Sequence, residues 1–436
     1  MAFISILKEP LFRYRLALLS LSCIIIGLFL SRAMMSIGMI VVGIQFFLKP
    51  DIKVTFKDFI KDKKLLYISL IFFLYLISGL YSSDKNYYIE RITLKLPFLF
   101  MPLGFAALKE MPKRYFLHVL LVFILLVFFV SLGSTVNFIL NYTAIIENYK
   151  SAKVIPVLFE INHIRYSLMM ALAIFSAFYL FYNRYFIFNV KTERTLFLIM
   201  GIFIFLFLHL LSVRSGLLAF YLSLFVMIVS YIITKKKYRN GIVLLALLIV
   251  TPLLMYVALP TIRNKVDYMI LDISKFMSEE TKTKQRNVNN YSDTNRLVSI
   301  TLGIELGNKS PFIGLGVGDV KNEIFKAYET DYPKVRQERR LIPHNQFVFV
   351  YMAVGGIGLL LFCFFSFYPF FSSKDSYSGF LFLVHNTIFI SSYMSEATLE
   401  NQLGVCLFIT FYLITYFIDR ETNVSQNALK SVVANS

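Results

Sequence analysis

Residues 335–371 read VRQERRLIPHNQFVFVYMAVGGIGLLLFCFFSFYPFF. The chain passes here from Arg336, Glu338, Arg339 and Arg340 into a run, 345–371, that holds no charged residue. A membrane-crossing helix needs about 20 consecutive, mainly apolar residues, and this run is longer. The polar side of the junction ends a block from Pro260 to His344 with 14 Lys/Arg and 11 Asp/Glu. A charged block of that size between apolar runs reads as a large hydrophilic loop between membrane spans. That loop closes on a histidine at a span mouth, which points to chemistry at a membrane surface.

Working outward, the chain is 57% hydrophobic and 16% charged, with a mean hydropathy of +0.67. Soluble domains carry about 25% charge. Apolar runs recur at roughly 16–31, 33–48, 65–81, 91–108, 116–140, 163–182, 195–211, 216–234, 240–259, 345–371, 378–394 and 402–418. The expected fold is an all-α polytopic membrane protein with about twelve transmembrane helices. Its one large extracytoplasmic loop lies between spans nine and ten. Residues 1–259 hold spans one to nine, 260–344 the loop, 345–418 the last three spans and 419–436 a polar, disordered tail. Pro97 and Pro102 should kink the fourth span. No internal repeat of the kind found in many secondary transporters is visible.

A net charge of +18 would fit nucleic acid in a soluble protein. Here it follows the enrichment of Lys and Arg in cytoplasmic loops, and no nucleic-acid partner is expected. With the N-terminus inside, the inner segments gather 22 basic residues. They include Lys8, Arg13 and Arg15, the Lys49–Lys64 stretch, Arg184, Lys191 and Arg194, Lys235–Lys237, Lys374, Arg420 and Lys430. Both termini are then cytoplasmic. The long loop translocates largely regardless of its charge, so it lies outside with the turn Ser212–Gly216. The first run lacks a small-residue cleavage site and reads as an uncleaved span. Cys23, Cys363 and Cys406 lie in apolar runs and pack there. Trp is absent, which leaves Tyr as the main aromatic anchor at the interfaces.

Few residues in this pattern carry chemistry. His344, behind Pro343, can accept and donate a proton near neutral pH; the alternative is an interfacial polar residue. Asn345 is placed to cap the following helix. Arg214 sits in a turn too short to be a solvated loop. Arginine there is either a phosphate fork or a charge that sets topology. Arg296 opens a periodic segment, Leu297, Ile300, Leu302, Ile304 and Leu306. That reads as an amphipathic helix capped by Asp293 or Thr294, with Arg296 either at an anion site or on an ordinary surface. Arg91, Lys95, His163 and Arg165, at the outer ends of spans four and six, extend a basic pocket or serve the fold. His118 and His385 read as packed, hydrogen-bonded residues. The glycine-rich 311–318 has the wrong spacing for a nucleotide loop and reads as a tight turn supporting the site. No His, Cys and carboxylate cluster has metal-ligand spacing, and no metal or cofactor is expected.

Taken in order, Ser212-Val213-Arg214-Ser215-Gly216-Leu217-Leu218, Arg296, Pro311–Gly316, His344-Asn345-Gln346-Phe347 and Gly355-Gly356-Ile357-Gly358 resemble the core of the O-antigen ligase and O-antigen polymerase superfamily. Glu396–Gln402 resembles that family's ending. In place of the acidic residue and glycine expected after the histidine stands Gly355–Gly358. The resemblance implies a metal-independent, inverting glycosyltransferase in the bacterial inner membrane. It would move a glycan from undecaprenyl diphosphate to an acceptor hydroxyl at the periplasmic face. The acceptor is lipid A core in a ligase, or another lipid-linked glycan in a polymerase; ligase is favoured slightly. The partners implied are that donor, that acceptor and membrane lipids. Carried over, His344 is the general base, and Arg214 and Arg296 bind the departing diphosphate. The rival is a lipid-linked glycan flippase or transporter, which should line a path through the membrane with charge rather than gather it at one face. A sensor would need an output domain larger than the tail.

Overall fold

The computed structural model describes residues 9–150, 153–184, 192–277, 292–371 and 379–434. No strand occurs among them. The first helices are α1 (Pro10–Leu30), α2 (Arg32–Leu48), α3 (Ile52–Lys61), α4 (Lys63–Ser78), α5 (Lys85–Ala107), α6 (Lys113–Leu140) and α7 (Tyr142–Lys150). Then come α8 (His163–Tyr182), α9 (Glu193–Leu211), α10 (Arg214–Lys235) and α11 (Tyr238–Ala258). The hydrophilic block contributes α12 (Pro260–Met277), α13 (Ser292–Gly307) and α14 (Val320–Asp331). The chain ends with α15 (Gln346–Phe371), α16 (Phe380–Ser395) and α17 (Gln402–Ala434).

Each apolar run forms a helix, but among the described residues eight are long and apolar enough to cross a membrane. The count rises to nine if α2 and α3, bent by 115° at their junction, make one span. The reasons are physical. Helices α4 and α16 have 16 residues each, short of the roughly 20 a bilayer asks for. Helix α5 carries Lys85, Glu90, Arg91 and Lys95. It is continuous through Pro97 and Pro102. Helix α17 continues to Ala434, where a disordered tail was expected.

Helices α8 and α17 are the most enclosed, and α11 lies almost wholly on the outside. The apolar side chains of α11, such as Val243, Leu247 and Leu254, are exposed, as a lipid-facing helix requires. Lipid tails are as apolar as leucine, so helices in a membrane associate through close packing and hydrogen bonds. Tyr166 of α8 illustrates both: its hydroxyl meets Ser131 Oγ at 2.7 Å and donates to the Val127 carbonyl at 2.8 Å. His385 corrects its expectation. It is buried with neither ring nitrogen hydrogen-bonded among the described residues, and it packs on Phe389, Phe408 and Tyr412. His118 does bond, to the Arg114 carbonyl.

The irregularity that matters lies in α15. Gly355 has φ 69° and ψ −173°, which breaks the helical hydrogen-bond ladder. The glycine-rich loop repairs it. Leu315 and Gly316 donate to the Met352 and Ala353 carbonyls, both at 2.9 Å. In return Gly356 donates to the Pro311 carbonyl at 2.7 Å and Ile357 to that of Phe312 at 3.3 Å. Backbone groups in an apolar surrounding need such partners. Gly314 also has a positive φ of 73°, and a Cβ on it or on Gly355 would overlap the opposing backbone. The loop therefore supports the site, as its composition predicts, by docking on a broken helix.

Candidate functional site

The hydrophilic block folds onto the start of α15 through α13. The expected amphipathic helix forms, beginning at Ser292. Its buried apolar face is Val298, Leu302 and Leu306, while Ile304 is exposed. Gly303 packs on Pro343 and Val348, and Gly307 on Tyr351. These contacts lay α13 along the first turns of α15. Asn345 caps α15 as expected: its Oδ1 accepts from Phe347 N at 2.9 Å and Val348 N at 3.1 Å. Its Nδ2 donates to the Met394 carbonyl at 3.0 Å, which ties the cap to α16.

Asp293 lies in the first turn of α13 rather than before it, so its role is not the expected cap. Arg214, the first residue of α10, donates to both of its oxygens, at 2.8 and 2.7 Å. Arg296, three residues on along α13, approaches the same carboxylate at 3.5 Å. Residues at i and i+3 share a helix face. Arg214 is also held at its helix start by Ser212, which takes a left-handed φ of 54°. Gly216 behind it lets α10 approach Ser167 of α8 closely, where a Cβ would collide. Helix N-termini favour anions, and two basic ones meet here around a carboxylate. The Arg214 and Arg296 side chains stay 38% and 35% exposed, so the cluster remains open to a ligand.

His344 belongs to the same cluster. Its backbone N–H donates to Ser299 Oγ at 3.1 Å, and Ser299 Oγ donates to the Arg296 carbonyl at 2.7 Å. One turn of α13 thus fixes the spacing between the histidine and an arginine. The ring is half-buried, and its Nδ1 is enclosed without a hydrogen-bond partner among the described residues. Burial, then the charge of Arg296, holds the imidazole below its usual pKa; Glu396 and the Ser395 carbonyl act the other way. The ring is therefore neutral at neutral pH and able to accept a proton.

The remaining basic residues divide. His163, the first residue of α8, lies in the field of Lys265, Arg296, Glu396 and Arg165, three of which also act on His344. Arg165 is engaged by Glu396 at 2.6 Å and by Asn401 Oδ1 at 3.2 Å. Lys95 is fully buried. It pairs with Glu400 at 2.8 Å and donates to the Leu399 carbonyl. Tyr75 and Gln346 complete the shell of Glu400, at 2.8 and 3.0 Å. Arg91 donates to the Glu400 carbonyl at 3.0 Å and pairs with Glu90. Arg91 and Lys95 therefore secure the Glu396–Glu400 segment under α15 and do not enlarge a basic pocket. Three members of the site are not found by sequence reasoning: Asp293 as an arginine clamp, Glu396 as the acid facing the histidines, and Lys265. The i, i+3 spacing of Asp293 and Arg296 was the available signal for the first. Nothing local marks the others.

Among the described residues, no group of three or more His, Cys, Asp or Glu side chains is placed to hold a metal ion. The positive charge of the cluster comes from Arg214, Arg296 and their neighbours. Residues 196–363 match a family model described as O-antigen ligase. The match runs from α9 into α15 and includes Arg214, Asp293, Arg296 and His344. No curated protein matches the chain.

Proposed function

We propose that this chain, whose residues 196–363 match a family model described as O-antigen ligase, is a membrane glycosyltransferase of ligase or polymerase type that transfers a glycan from undecaprenyl diphosphate to a sugar hydroxyl at the periplasmic face of the inner membrane. The observation that carries the reading is the convergence of Arg214 and Arg296 on one carboxylate, with His344 joined to the same turn through Ser299. An arginine fork that grips a carboxylate suits a phosphate as well, which supports this reading.

In this mechanism the acceptor oxygen attacks the anomeric carbon as the bond from that carbon to the diphosphate oxygen breaks. His344 takes the acceptor proton. The diphosphate leaves with the electron pair of the broken bond, and Arg214 and Arg296 neutralise it. Groups aimed at developing charge commonly contribute more to rate than any other feature of an active site. A single displacement inverts the anomeric centre. We favour lipid A core as acceptor, which makes the protein a ligase. In a deletion strain, long polymer left on undecaprenyl diphosphate supports that choice. Single repeats on lipid A core would make it a polymerase instead.

Two further outcomes follow from this reading. Cysteines at Asn289, which lies outside the described residues, and at the exposed Lys309 should react with an impermeant thiol reagent in intact spheroplasts. A cysteine at the exposed Lys236 should not; the reverse pattern would invert the orientation. Purified protein with lipid-linked donor and acceptor should also transfer in chelator and without ATP. The diphosphate-linked glycan is already activated, and the arginines meet the leaving charge. Activity lost in chelator and restored by a divalent ion would sink the arginine account.

A further inference from the structure

Lys265 stands in the second turn of α12, at the edge of the cluster. Its Nζ donates to the Ser212 carbonyl at 2.7 Å and the Leu211 carbonyl at 3.4 Å. The lysine therefore reaches across from the outer block to the turn that carries Arg214. It is half-buried, and its bonds are to neutral carbonyls. The charge that acts on it is a second cation, Arg214. Its charge also acts on His163.

We propose that Lys265 is a third cation of the leaving-group site, contacting the diphosphate beside Arg214 and Arg296. This rests on the diphosphate reading above. The charge balance supports it. Arg165 is matched by Glu396, and Arg214 and Arg296 share Asp293 alone among the described carboxylates within ion-pair distance. Adding Lys265 to Arg214, Arg296 and Asp293 leaves an excess of two positive charges, which matches the two ionised phosphates of the bound donor before departure adds a third negative charge. His344 cannot supply it while neutral. A lysine serving only to cap α9 would gain nothing from lying beside an arginine. Repulsion between the two cations is relieved when an anion arrives between them.

The same placement gives the test its signature. Burial, then Arg214, brings the Lys265 ammonium down to about 8. It is charged at neutral pH and discharges as pH rises through that value. A bound diphosphate, which favours the ammonium, should lose affinity over the same range.

Wild type, Lys265→Met and Lys265→Arg would be compared in lipid nanodiscs. Binding of undecaprenyl diphosphate and of undecaprenyl monophosphate would be measured from neutral pH to well above 8. Wild-type affinity for the diphosphate should fall through about pH 8, and Lys265→Arg should stay flat, because arginine keeps its proton. Lys265→Met should bind the diphosphate about tenfold more weakly at neutral pH, the usual loss for one charged hydrogen bond, with monophosphate affinity little changed. Unchanged diphosphate affinity in Lys265→Met would remove Lys265 from the site while leaving the diphosphate reading intact. Equal losses for both lipids would make it a support of the fold only. A wild type that does not prefer the diphosphate would overturn the diphosphate reading and this assignment together.

Discussion

His344→Ala is expected to lower single-turnover transfer by about 10²–10⁴-fold, the range for loss of a positioned general base, with donor binding nearly unchanged. The separation follows from the geometry. In the proposed site Arg214 and Arg296 would hold the anion through side chains, whereas His344 joins them through its backbone N–H and Ser299, a link that alanine keeps. The pH profile gives the sharper check. Burial and Arg296 hold the imidazole below its usual pKa. The base is therefore present at neutral pH, and activity is lost only as pH falls through that lowered value. Arg296→Ala removes a charge that opposes protonation, so its acid limb should move to higher pH. If His344→Ala instead loses donor binding and transfers normally at saturating donor, His344 is a ligand of the diphosphate and not the base. An acid limb unmoved in Arg296→Ala would separate the two residues.

The parts of this arrangement legible in the sequence are those set by local pattern. Charge asymmetry and apolar length marked the helices, and an uncharged run after His344 marked α15 and its Asn345 cap. The 3.6-residue period marked α13. Arg214 and Arg296 stood out because a cation beside hydrocarbon is costly without a partner. What could not be read was who the partners are. Glu396 and Glu400 reach Arg165 and Lys95 from more than 200 residues away, and no periodicity encodes that. The break in α15 was hidden for the same reason. Residues 345–371 look like one uninterrupted span, and the groups that satisfy the broken turn come from a loop 40 residues earlier. The prolines of α5 leave the helix continuous. A proline removes one hydrogen bond and crowds the preceding turn, and just past Pro102 Gly104 lets α5 lie close against Val42 of α2, where a Cβ would collide. By residue type Asp293, like Thr294, reads as a helix cap, a local role. Its actual partners, Arg214 at the start of α10 and Arg296, turn the same side chain into the centre of the site.

Arg214→Lys should lower transfer by about 10²-fold, comparable to losing one preorganised donor at an anion hole, in a protein that still folds and inserts. The charge is retained, so any role in setting topology is retained with it. What is lost is the fork. Arg214 grips both Asp293 oxygens, at 2.8 and 2.7 Å, through two different nitrogens. An ammonium is a point charge on a flexible stem and cannot present two parallel donors in one plane. The defect should fall on the diphosphate, because a fork matters most to a group with several oxygens in fixed geometry. Transfer rates and diphosphate binding would be measured together, with the labelling pattern of cysteines at Lys309 and Lys236 confirming an unchanged orientation. Near-normal transfer would make Arg214 a topology residue and shift the burden of the leaving group onto Arg296 and Lys265. A large loss with diphosphate binding intact would instead place Arg214 at the transition state, where charge grows on the bridging oxygen as the bond to the anomeric carbon breaks.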